Sequence, residues 1–148
     1  MSYRLDYDES VCSVVKRLKQ EHEEIDRKLE GISKIARTKN GNLKVAVSLL
    51  NAIKTEILRH AVEEEGRLAR VIMESSEIRK KSDESVRILQ EHRRIKEFFE
   101  DELPYLLDEN SERQGRKKIG DFTELMIRYC MEEEKEVFSL ALRATSDR

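Results

Sequence analysis

The chain has three histidines, each within three residues of a glutamate: Glu21-His22-Glu23-Glu24, His60-Ala61-Val62-Glu63-Glu64-Glu65 and Glu91-His92. On a helix, the four-residue spacing of His60 and Glu64 puts an imidazole and a carboxylate one turn apart on one face. Tyr129 and Glu133 repeat that spacing with a phenol in place of the imidazole. Imidazole with carboxylate suits iron, manganese or zinc, and the absence of a thiolate from the set disfavours a soft-metal site. Cys12 and Cys130 lie in no CxxC or Cys/His zinc spacing, so both are expected as reduced thiols, with Cys130 a packed small side chain. No nucleophile arrangement or glycine-rich phosphate loop suggests other chemistry.

These side chains can act together only if the elements carrying them meet. Ala, Glu, Lys, Leu and Arg make up half of the 148 residues, and only 38% are hydrophobic, a composition of long helices rather than sheets. That length predicts one domain, with a bundle over about residues 11–142 and short polar tails. Three polar stretches read as loops: Arg37–Asn42, Glu74–Glu84 and Asp108–Gly115. Between them, apolar residues recur at alternating spacings of three and four, the seam of a packed helix. Leu18, Ile25, Leu29 and Ile32 keep that beat in the first segment, and Leu50, Ile53, Ile57 and Leu68 in the second. Ile88, Ile95 and Phe99 keep it in the third, and Phe122, Met126, Val137 and Leu140 in the fourth. The expected fold is all-α, an antiparallel up-down four-helix bundle. Pro104 should kink or end the third helix, and Gly66 and Gly120 should mark close packing or approach.

The informative positions are those on the apolar beat that are not apolar. His22 falls between Leu18 and Ile25, His60 and Glu64 between Ile57 and Leu68, His92 between Ile88 and Ile95, and Tyr129 and Glu133 between Met126 and Val137. With two seam positions in seven, chance would put all three histidines there roughly 2% of the time. Counted outward from loop centres near residues 40, 78 and 111, the six side chains fall within a few ångströms of one level at about 1.5 Å per residue. The sequence also repeats itself. Gln20-Glu21-His22 recurs as Gln90-Glu91-His92, and Leu58-Arg59-His60 through Glu65 is echoed by Ile127-Arg128-Tyr129 through Glu134. A pseudo-twofold cluster follows, in which Tyr129 occupies the position of His60. Two carboxylates from opposite helices can bridge a metal pair, with histidines capping each ion. The glutamate runs at 63–65 and 132–134 are expected to be mainly solvated, with one inward member each.

The ordered set His22, His60-Ala-Val-Glu-Glu64, His92 and Tyr129-Cys-Met-Glu-Glu133 resembles the hemerythrin-like domain, also called the HHE cation-binding domain, over roughly residues 11–142. The resemblance implies a non-haem di-iron centre bridged by the two glutamates, with His22, His60, Glu64, His92, Glu133 and Tyr129 as ligands. It implies a small-molecule partner: oxygen, peroxide or nitric oxide, to be bound or sensed, or a role in iron handling. Tyr129 replaces the fourth histidine of the pattern, so reversible oxygen carriage by the inherited mechanism is not expected. The phenol could ligate ferric iron, hydrogen bond to a metal-bound water or leave one position open, and Lys96 could neutralise a glutamate instead.

A net charge of -2 with both signs interleaved gives no basic footprint for nucleic acid and no polybasic face for anionic lipid. No stretch approaches a membrane span, and Met1–Ser10 carries Asp6, Asp8 and Glu9 where a secretory leader needs an apolar run, so a cytoplasmic protein is expected. A protein partner or a homodimer remains compatible with the composition. Binding is preferred over catalysis; turnover at such a site would be of ferroxidase, peroxidase or nitric-oxide reductase type. The alternative is a metal-poor or metal-free bundle acting as a regulatory or interaction protein.

Overall fold

The computed structural model describes Leu5 and residues 7–74 and 82–146. These form four helical rods: α1 (Val11–Arg37), α2 (residues 43–74), α3 (residues 82–109) and α4 (residues 112–146). There is no strand among the described residues. Side-chain caps set the starts of three rods. Ser10 accepts from the Ser13 amide ahead of α1, and Asn42 accepts from Lys44 ahead of α2. Ser111 and Gln114 form a reciprocal capping box ahead of α4. That box corrects the expected third loop, because only Asn110 and Ser111 separate α3 from α4 and residues 112–115 are already helical. The first loop is Thr38–Asn42, near its expected place. Of the second expected loop, residues 75–81 lie outside the described residues, while Glu74 and Ser82–Glu84 are helical.

Two apolar clusters fill the interior, one toward each end. The larger includes Ile25, Leu29, Leu50, Ile57, Ile95, Phe99, Phe122 and Met126, with Phe98 stacked on Phe122 at 3.9 Å between ring centroids. The smaller includes Val14, Leu18, Leu68, Ile72, Ile88, Val137 and Phe138. On every rod the polar residues picked out by the sequence fall between these two clusters. Burial of the apolar side chains, at about 25 cal/mol per Å² removed from water, drives the rods together and fixes the level of what lies between.

The rods are not uniform α-helices. Residues Glu64–Ala69 and Glu133–Phe138 widen into π-helical turns, each beginning on a seam glutamate and lying 69 residues apart. Such turns are rare and concentrate at functional sites. Pro104 does not end α3. A π-helical stretch at Phe98–Glu102 passes into a 3₁₀ turn at Leu103–Tyr105, where a residue without an N–H is tolerated, and the rod continues to Glu109. The two unexplained glycines acquire reasons. A Cβ on Gly66 would collide with the Leu5 side chain, and one on Gly120 would lie 3.1 Å from the Arg37 guanidinium.

Candidate metal centre

Side chains from all four rods converge between the apolar clusters. His22, His60, Glu64 and Glu133 are all buried, and each offers a ligand atom within 4.8 Å of the others. His22 Nε2 lies 3.7 Å from Glu64 Oε1 and 3.5 Å from Glu133 Oε2. His60 Nε2 is 2.7 Å from Glu64 Oε1, an approach that lacks hydrogen-bonding geometry. His92 enters from α3 on the other side, its Nε2 3.3 Å from Glu133 Oε1 and 4.0 Å from Glu64 Oε2. Glu64 thus turns one oxygen toward His22 and His60 and the other toward His92, and Glu133 turns one toward His22 and the other toward His92. Tyr129 is buried beside them and helps line a cavity of about 10 Å³, room for one water-sized molecule, walled by Ile25, Ile57, Ile95 and Met126 opposite the polar groups.

The outer nitrogens of the three rings are all spoken for. Nδ1 of His22 meets Glu134 at 3.1 Å, Nδ1 of His60 meets Glu21 at 3.0 Å, and Nδ1 of His92 meets Glu65 at 2.9 Å. A carboxylate there holds the proton on Nδ1 and turns Nε2 inward, the arrangement that supports metal-ligating histidines. Three buried atoms in this layer have no hydrogen-bond partner: Nε2 of His22, Nε2 of His60 and Oε2 of Glu64. Buried polar atoms without partners are rare and cost about 1–3 kcal/mol each, so three in one layer mark a place where cations would satisfy them.

The match to known families agrees with this geometry. Residues 13–141 fit the family described as hemerythrin HHE cation binding domain. The chain belongs to the hemerythrin HHE family. No curated protein and no solved structure gives a match. Membership makes this a cation-binding fold, and the His/Glu cluster is a group able to hold the metal.

The electrostatics of the HHE cluster favour positive charge. Burial opposes an imidazolium at His60, yet the charge of Glu64 with the Glu21 and Glu64 contacts raises the ring to about 9. Burial likewise opposes His92, but Glu133, Glu65 and Glu64 raise it to about 10. His22 is raised too, burial being outweighed by Cys130, Glu133 and Glu64. Burial works against the Glu64 carboxylate, but His60, Glu133 and His22 hold it well below the usual range, while burial and the Glu64 charge raise Glu133. With metal removed, protons supply the positive charge that the carboxylates demand; metal uptake must displace them.

Some expectations for the HHE site need correction. Lys96 neutralises no buried glutamate: its side chain is 64% exposed and faces Glu100 on its own helix at 4.0 Å. The glutamate runs are not mainly solvated either. Glu63 binds Arg17, Glu64 and Glu133 are buried, and Glu65 and Glu134 orient His92 and His22. Glu21, Glu65, Glu134 and Arg17 were missed as site residues. The duplication carried a signal for two of them, since Glu65 and Glu134 each follow a seam glutamate in both copies.

Glu91 differs from its counterpart Glu21. It is buried, its Oε2 has no hydrogen-bond partner, and burial together with the charge of Glu133 pushes it up to about 7.

Proposed function

We propose that the chain works as one hemerythrin-like unit holding a pair of iron ions bridged by Glu64 and Glu133. His22 and His60 bind at one position, and His92 with the oxygen of Tyr129 at the other. The observation that carries this reading is the convergence of His22 Nε2, His60 Nε2 and Glu64 Oε2, buried and without partners, on a space between two apolar clusters. A metal-free bundle would have only protons to place among these buried groups. Iron held there would supply reversible redox change and a position at which a small ligand could attach.

The chain's own residues set what reaches that position. Glu21, Glu65 and Glu134 fix the imidazoles by Nδ1 and keep Nε2 aimed inward. The cavity beside Tyr129 is of the size of one water molecule, which supports a species as small as oxygen, peroxide or nitric oxide as the one bound or sensed and disfavours an organic substrate. We read the protein as a cytoplasmic binder or sensor. Among the described residues no helix is long and apolar enough to cross a membrane.

The test is quantitative metal analysis of protein purified anaerobically, with the visible spectrum of its ferric form. Iron near two ions per chain, lost in Glu64→Ala and Glu133→Ala, is the expected result. Full metal content in both variants, or none in the parent protein, overturns the reading.

A further inference from the structure

The two halves of the chain supply the centre unequally. In the first half, His60 offers Nε2 to the interior, and Glu21, the residue before His22, holds its Nδ1 at 3.0 Å. In the second half, Tyr129 stands at the His60 position and Glu91, the residue before His92, at the Glu21 position. Glu91 is buried, close enough to Glu132 and Glu133 of α4 to feel their charge, as Glu21 meets His60 and shares Arg17 with Glu63 on α2. Its Oε2 nevertheless has no hydrogen-bond partner. The second half retains the carboxylate that would orient an imidazole and lacks the imidazole.

The consequence falls on one side of the bridging pair. The side facing Glu64 Oε1 and Glu133 Oε2 has two imidazole nitrogens, and the side facing Glu64 Oε2 and Glu133 Oε1 has only His92. A neutral phenol is a poorer donor to a divalent ion than an imidazole, so Tyr129 makes up for the missing ring only in part. We propose that the centre holds its two cations unequally, one tightly by His22 and His60 and one weakly by His92, and that the exchange of an imidazole for the phenol of Tyr129, which leaves Glu91 no ring to orient, sets the difference. This inference rests on the two-cation reading above.

The full chain, freed of metal by a chelator, is titrated anaerobically with ferrous iron alone, and bound iron is followed by equilibrium dialysis. Two steps are expected, the second at least about tenfold weaker, the scale on which loss of a ligand or its orienting partner changes metal affinity. Glu21→Gln should weaken the first step about tenfold, whereas Glu91→Gln should leave both within about threefold, since Glu91 orients no ligand. Tyr129→His should bring the second step toward the first, and adding Glu91→Gln to it should undo most of that gain. Two equal steps in the parent protein, or a Glu91→Gln effect as large as that of Glu21→Gln, would overturn the inference while leaving the two-cation reading intact. No bound iron at all would remove both. The Gln variants keep the test decisive should Tyr129→His fail to fold.

Discussion

Arg17 and Arg87 occupy equivalent places in the two halves, 70 residues apart, and are used differently. Arg17 gathers Glu9, Glu21 and Glu63, so the carboxylate that orients His60 is itself held from behind. Arg87 stands 3.6 Å from Glu91 and donates to Glu136 on α4. Around these arginines the packing is alike: Leu18 answers to Ile88, Ile25 to Ile95 and Leu68 to Val137, all buried. The scaffold kept its repeat while the polar layer diverged. Apolar positions need only matching volume, whereas one exchange of imidazole for phenol alters the task of every group behind it.

The largest effect expected from this contrast is on metal content. His60→Ala should lose most of the bound metal and Tyr129→Phe should keep the more tightly held ion, both read by elemental analysis of purified protein. Equal losses would mean that the halves contribute alike. A charge-transfer band in the ferric protein that Tyr129→Phe abolishes would sharpen the contrast by identifying the phenol as a ligand.

Packing provides the control. Leu18→Ala and Ile88→Ala should each lower unfolding free energy by about 2–5 kcal/mol in denaturant titrations, because both side chains are fully buried in the same cluster. A loss confined to one of them would show that the divergence reaches the scaffold.

The pH dependence of metal-free protein should be smaller. His60 is raised from 6.5 to about 9 and His92 to about 10, so the stability each lends is fully present below pH 6.5 and is lost as pH climbs through those values. Thermal melts of chelated protein should therefore fall between pH 6.5 and 10, and the gain on adding metal should grow across the same window as protons cease to compete. A flat profile would deny that the carboxylates of either half hold imidazolium.

The smallest effect concerns Cys130, which stands where the first half has Ala61. Its buried thiol is pushed up to about 12, mainly by burial, whereas Cys12 is exposed. Native protein should consume one equivalent of an alkylating reagent and unfolded protein two. Cys130→Ala, which restores the match between halves, should cost about 1 kcal/mol.

Much of this was legible from spacing. The four rods, the common level of the six polar residues and the repeat all follow from a 3.6-residue period, which side chains obey regardless of partners. The orienting role of Glu65 and Glu134 was hidden because a glutamate one step off the seam reads as solvated until the neighbouring rod brings a ring to it. The start of α4 was hidden by Gly115, although Ser111-Glu112-Arg113-Gln114 carried the capping signal. The π-helical turns at Glu64 and Glu133 depend on hydrogen bonds that shift by one residue, and no periodicity in so short a stretch announces them.

The polar layer also divides the oily interior into two blocks, and what crosses between them is ionic. Remove the cations, and each block retains its own cohesion while the fastening across the waist slackens. Hydrogen exchange should then show the Phe98–Phe122 end and the Leu18–Val137 end opening on separate clocks, so that one bundle behaves as two foldons that metal locks into step.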